Sequence, residues 1–219
     1  MAVRDAVGML KVGLELFVSE GPSALAVGRE TGLPVFLDLK LCDIPETVDR
    51  AVARASTLGA RILTVHAGGG PAMLARAVQR AEQERAGLVI AAVTVLTSLD
   101  AGDLAAMGLE RDVPKHAQRL ARLAYDQGVR AFVCSPHEVS SMRSLLGADV
   151  TLITPGVRAS REAGADDQKR VATAARAIAD GADWLVVGRP IRDAVDPLAA
   201  AHAFAREADE ARASRGRSS

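Results

Sequence analysis

The chain has 219 residues, enough for one generous domain or two small ones and for a large buried core. Apolar residues make up 49% of it but aromatics only 3%, so that core is built from Ala, Val and Leu. Lys plus Arg and Asp plus Glu stand at 27 each, so net charge gives no reason to expect nucleic acid or an anionic membrane, while a small anionic ligand needs only a local positive site. No apolar run reaches the ~18 residues of a membrane span, and the stretch from Met1 to Arg4 and onward has no signal-peptide pattern. Cys42 and Cys134 form no CxxC and read as free thiols in a reducing cytoplasm. His66, His116, His137 and His202 are scattered, with no spaced pair to hold a metal.

In chain order, Met9 to Gly13 reads as the earliest strand. Glycine then punctuates a repeating unit, in which a helical stretch ends at Gly and an apolar strand follows within one to three residues. Thr31-Gly32-Leu33-Pro34 leads into Val35 to Leu39, and Leu58-Gly59-Ala60-Arg61 into Ile62 to Val65. Ala86-Gly87 leads into Leu88 to Val95, and Gln127-Gly128-Val129-Arg130 into Ala131 to Cys134. Leu146-Gly147-Ala148-Asp149 leads into Val150 to Ile153, and Asp180-Gly181-Ala182-Asp183 into Trp184 to Val187. Continuous rather than alternating apolar runs predict a parallel sheet covered on both faces. Helices are predicted over Thr47 to Leu58, Pro71 to Arg85, Pro114 to Gln127, Gln168 to Ala179 and Ile191 to Arg212. Ala213 to Ser219 is polar and basic and reads as a frayed tail. No linker or composition break interrupts residues 1–212, which are expected to form one domain.

The expected class is α/β, with seven β-α units where a closed (β/α)8 TIM-type barrel has eight. A first strand and most of its helix have no counterpart before Met1, and Val3 to Val7 reads as the remnant of that helix. An open doubly wound sheet would need no eighth strand. The barrel is favoured because charged residues recur after many different strands, whereas an open sheet gathers its site near one switch point.

The chemistry-bearing residues follow the strands. Lys11 and Glu15 follow the first. Asp38, Lys40 and Asp43 follow the second, and Asp38 and Lys40 point to one side of an extended chain. His66 follows the third, then Thr94, Thr97 and Ser98 the fourth. Pro155, Gly156 and Arg158 follow the sixth, and Gly188, Arg189 and Pro190 the last. Gly188 admits a ligand close to the backbone, Arg189 offers bidentate bonds to phosphate, and the helix after it directs its amides the same way. Taken singly, Asp38 with Lys40 is a strand-end salt bridge, His66 a packed or hydrogen-bonded histidine, Thr97-Ser98 an ordinary loop or helix cap and Glu15 a solvated side chain.

Leu37-Asp38-Leu39-Lys40-Leu41-Cys42-Asp43-Ile44-Pro45 resembles the signature of the orotidine 5'-phosphate decarboxylase family. So do Leu10-Lys11-Val12-Gly13, Val93-Thr94-Val95-Leu96-Thr97-Ser98, Thr154-Pro155-Gly156-Val157-Arg158 and Val187-Gly188-Arg189-Pro190. Their order and spacing are similar to the bacterial branch, from about Val7 to Ala200. The resemblance implies a cytoplasmic homodimeric (β/α)8 barrel that converts orotidine 5'-monophosphate to UMP and carbon dioxide in pyrimidine biosynthesis, with no metal or organic cofactor. It implies an alternating charged array of Lys11, Asp38, Lys40 and Asp43, in which Lys40 protonates C6 and Asp43 serves the partner subunit's site. Thr97 matches a residue at the pyrimidine and Thr47 one at the shared dimer-site edge. Arg158, Gln168, Gly188 and Arg189 match phosphate contacts.

One departure stands out: the family's first strand, which ends in an Asp near the ribose and base, has no match. A misplaced start, a truncation and a true variant all fit that departure. Two rivals remain. A magnesium-dependent phosphosugar lyase shares the Asp-x-Lys-x-x-Asp core, but Ile44-Pro45 and Thr97-Ser98 favour the nucleotide enzyme. A non-catalytic nucleotide-binding barrel gains standing from the missing first strand, but it would have to keep four converging charges without using them, which is costly in a partly buried site.

Overall fold

The computed structural model describes residues 3–158 and 172–217. Strands and helices alternate. β1 (Leu10–Gly13) precedes α1 (Leu14–Glu20) and α2 (Ala26–Thr31). Next come β2 (Val35–Leu41), α3 (Pro45–Thr57), β3 (Ala60–His66), α4 (Pro71–Glu84) and β4 (Val89–Val93). They are followed by α5 (Ala101–Ala106), α6 (Val113–Asp126), β5 (Ala131–Val133), α7 (Val139–Leu146) and β6 (Thr151–Thr154). The short strands β7 (Val157–Arg158) and β8 (Ala172–Thr173) then lead to α8 (Ala174–Ala179), β9 (Trp184–Leu185), α9 (Arg189–Arg192) and α10 (Pro197–Arg217). Every strand read from the sequence has a counterpart among β1 to β6 and β9, with ends shifted by one or two residues. The residues group into two compact units, 3–93 with 120–131 and 94–119 with the described residues from 132 onward.

In the first unit β1, β2, β3 and β4 lie side by side in that order, all parallel. Val12, Val35, Leu37, Leu63, Val65, Ala91 and Ala92 are buried, as strands covered on both faces require. Gly28 lets α2 approach β2, because a Cβ there would come within 2.6 Å of Val35 Cγ2 and 3.2 Å of the Leu33 carbonyl. α3 starts at Pro45, two residues before the expected Thr47, since proline at the first helical position gives up an amide that has no partner anyway. It buries Val48, Val52 and Ala55 on one face.

Asp49 joins α3 to α4. Its side chain is buried at 6% exposure and takes Arg80 at 2.7 Å and Arg76 at 3.3 Å. The Arg80 hydrogen bond, and then the charges of Arg80 and Arg76, hold the Asp49 carboxyl below its usual 3.8, against the opposing effect of burial. A lowered folded-state pKa means the contribution is complete above the unfolded value and is lost as pH falls through the folded value. Asp49→Asn is therefore expected to lower stability near neutrality by about 1–2 kcal/mol, because both guanidinium groups stay partly solvated. Urea melts at pH 7 and pH 3 check this: the gap between variant and parent narrows in acid, and an equal gap at both would remove the ion pair as its cause.

In the second unit Cys134 N–H donates to the Ile153 carbonyl at 3.1 Å, and β6 pairs in parallel with β9. β7 and β8 form a separate parallel pair that the sequence did not announce. Arg143 on α7 clips this unit together, donating to the carbonyls of Gly147, Val150 and Gly181 and to Asp183. Val157, Ala174 and Phe204 form a small core with Leu185, Val187 and Ile191 against it. Trp184 opens β9 and is 40% exposed.

Two expectations for this half need correction, and one helix had not been anticipated. The helix predicted over Ile191 to Arg212 is two helices. α9 is one turn and the chain breaks before Pro197, whose ring cannot sit inside a helix, with Asp196 capping the Ala199 amide at 2.9 Å. The expected frayed tail from Ala213 is helical as far as Arg217, and Arg212 and Arg215 hold it by donating to the Asp183 and Ile178 carbonyls. α5 went unread although Asp100 and Asp103 form a reciprocal capping box at its start. The helix predicted from Gln168 is described only from Ala174, and residues 159–171 lie outside the described segments. Among the described residues no helix is long and apolar enough to cross a membrane.

Candidate active site

The ladder between β2 and β3 determines the site. Leu37 pairs with Leu63, and Leu41 pairs next with Val65. Between these pairs β2 carries Asp38, Leu39 and Lys40 where β3 carries only Thr64. The surplus is taken up in a bulge, where Lys40 adopts φ 51°. A left-handed conformation costs a non-glycine residue about 1–2 kcal/mol. Asp38 and Lys40 do face each other, but through this bulge and not by the simple alternation of an extended strand.

The bulge brings a compact charged cluster together. Lys40 Nζ donates to both Asp38 oxygens at 2.9 Å. Lys11 Nζ, from the neighbouring β1, stands 3.6 Å from Asp38 Oδ2. Thr64 Oγ1 donates to Asp38 Oδ1 at 3.0 Å and accepts the Lys40 amide at 2.8 Å. Gly13 lies opposite Asp38 in register, and a Cβ there would come within 2.8 Å of Lys11 Nζ. The glycine thus leaves the ammonium its room. The Asp38 side chain is 14% exposed, so one carboxylate shared by two ammonium groups sits largely out of water. His66, two residues beyond Thr64, is half-buried, and burial followed by the Lys40 charge pushes its imidazole below the usual 6.5 despite the opposing Asp38. It is therefore neutral near pH 7.

The other sequence-predicted residues of this unit stand apart. Asp43 is exposed, and its Oδ1 accepts the Ile44 amide at 2.6 Å. Thr47 is exposed in the first turn of α3. In the second unit Thr97 is half-buried after β4, Arg158 is half-buried at the end of β7, and Arg189 is exposed at the start of α9 behind Gly188. With α9 only one turn long, the dipole expected behind Gly188 is that of a single turn. Gln168 lies outside the described residues. Thr64 was missed by sequence reasoning. Its signal was a lone hydroxyl in the apolar run Ile62-Leu63-Thr64-Val65, on the same strand face as His66. Among the described residues no three His, Cys, Asp or Glu side chains come together as a metal-binding group.

Parallel strands alternating with helices, and a lysine–carboxylate cluster carried by the adjacent β1 and β2, define an α/β enzyme of the TIM-type barrel class, with seven strands in the main sheet among the described residues. The comparisons agree in kind. The family model described as the Orotidine 5'-phosphate decarboxylase / HUMPS family matches residues 2–204, and the chain belongs to that family. It is 53% identical over 204 residues to an orotidine 5'-phosphate decarboxylase of Anaeromyxobacter sp. (strain K), covering 93% of this chain and 88% of that protein. It is 51% identical over 216 residues to one from Thermobifida fusca (strain YX), covering 97% and 90%. The crystal structure of orotidine 5'-phosphate decarboxylase from Lactobacillus acidophilus superposes with a TM-score of 0.76 at 33% identity, covering 91% of this chain and 86% of that one.

Proposed function

We propose that this protein decarboxylates orotidine 5'-monophosphate to UMP and carbon dioxide in pyrimidine biosynthesis, as a cytoplasmic enzyme. The observation that carries the reading is the Lys40–Asp38–Lys11 cluster, built on the adjacent strands β1 and β2 of a chain about half identical to proteins of that name.

Loss of carbon dioxide leaves a carbanion-like centre at C6, with no carbonyl placed to delocalise it. The Lys40 ammonium stabilises the developing charge and then delivers the proton to that carbon. Asp38 fixes the ammonium by two hydrogen bonds and an opposite charge. Lys11 completes the array from the next strand. Asp43, exposed in this chain, is assigned to the site of a second copy in a homodimer, with Thr47 at the shared edge. Thr97 is assigned to the pyrimidine, and Arg158, Gln168, Gly188 and Arg189 to the phosphate. Binding energy from the phosphate, remote from C6, is then available to orient the reacting ring.

The test is the ultraviolet absorbance change on mixing purified protein with orotidine 5'-monophosphate, with and without EDTA. EDTA-resistant turnover supports the reading. Turnover that EDTA abolishes points to a magnesium-dependent lyase, and UMP binding without turnover points to a non-catalytic barrel.

A further inference from the structure

We propose that Thr64 is a positioning residue for Lys40, holding the reacting ammonium through both its carboxylate partner and its own backbone. The kinetic consequence rests on the decarboxylase reading; the geometric one does not.

A bulge strips amides of their ladder partners, and the three-against-one bulge of β2 does this next to the residue that must be placed most accurately. The Lys40 amide finds the Thr64 hydroxyl at 2.8 Å in place of a carbonyl of β3. A hydroxyl has one proton and two lone pairs. The proton goes to Asp38 Oδ1 at 3.0 Å, leaving a lone pair to accept the amide. Asp38 in turn takes Lys40 Nζ on both oxygens. The three residues form a closed ring in which Lys40 is gripped at both ends. Thr64 has no exposed surface, and its β-branched side chain is stiff about its first torsion. The anchor cannot follow the bulge if the bulge moves. Lys40 at φ 51° would relax toward ordinary backbone angles once the anchor is gone. Its ammonium would then swing relative to C6, although no substrate atom had lost a contact.

The experiment uses Thr64→Val, Thr64→Ala and Thr64→Ser in the full chain. Circular dichroism gives the folded fraction, steady-state kinetics the kcat and KM, and hydrogen exchange the protection of the Lys40 amide. The two hydroxyl-free variants are expected to lose roughly 10- to 100-fold in kcat per folded molecule, the scale set by sub-ångström to ångström misplacement of a reacting group, with KM changed less than about threefold. Thr64→Ser keeps the hydroxyl and is expected to recover most of the rate. Lys40 amide exchange is expected to rise about tenfold or more in the valine and alanine variants and to stay near the parent value in the serine variant. Unchanged kcat in a folded hydroxyl-free variant would overturn the proposal. So would unchanged Lys40 protection, or variants that lose only folded protein while the folded remainder turns over normally. A parent protein without turnover sinks the decarboxylase reading instead, and the exchange measurement still decides whether Thr64 holds Lys40.

Discussion

Lys40→Ala is expected to lower turnover of orotidine 5'-monophosphate by about 10⁴-fold or more while the protein stays folded. The estimate joins two roles of one group. Proton delivery by a placed acid contributes about 10²–10⁴-fold. Charge stabilisation by a fixed donor in a dry site contributes about 10²–10³-fold. The two are not multiplied in full, because contributions of one side chain are not independent. The variant keeps Asp38 and Lys11, whose 3.6 Å pairing preserves the local charge balance. Alanine keeps the Cβ and therefore the same cost at φ 51°, so folding is not expected to suffer. The measurement is kcat by absorbance, with UMP affinity by calorimetry. A variant within tenfold of the parent would remove Lys40 from the chemistry.

Asp38→Ala is expected to lose about 10²–10³-fold in kcat, by a different route. It leaves the Lys11 and Lys40 ammonium groups facing each other across an empty space and deprives Lys40 Nζ of both its acceptors. It also removes the acceptor of the Thr64 hydroxyl. The sign of the accompanying change in KM is informative. If the carboxylate serves only to hold Lys40, KM stays level or rises. If it also repels the substrate's own carboxylate, the variant binds substrate more tightly, and KM falls together with kcat. Asp38→Asn separates the charge from the shape. It retains an acceptor for Lys40 and Thr64, and it is expected to lie between the parent and the alanine variant.

The cluster was legible in the sequence because chemistry forced unusual residues into an apolar run. Asp38 and Lys40 interrupt a strand that otherwise reads Val35, Phe36, Leu37, Leu39, Leu41. The way they meet was not legible. The extra residues of a bulge are recorded only in the pairing of two strands, and neither strand shows it alone. Thr64 was hidden for the same reason, since threonine suits a strand by propensity and its partner lies 26 residues away. The boundaries of the strands came out well because glycine marked them. The helix break at Pro197 carried a clear local signal that the Ala-rich run obscured, and the capping box at Asp100 was equally local. The ordering of Ala213 to Arg217 was not a local matter. It depends on carbonyls of Ile178 and Asp183, which no inspection of a polar terminus reveals.

Trp184 is the chain's one tryptophan, and Tyr125 its one tyrosine. The scarcity of aromatics that leaves the core aliphatic also leaves the protein with a single indole, selectively excited at the red edge of the absorption band and standing partly exposed at the head of β9, four residues before Gly188. Its emission reports on one compact unit, while the Asp49 ion pair belongs to the other. Fluorescence and Asp49→Asn together therefore make an optical test of cooperativity. If the substitution shifts the tryptophan transition, the two units melt as one. If it leaves that transition in place while the circular dichroism melt broadens, they melt separately.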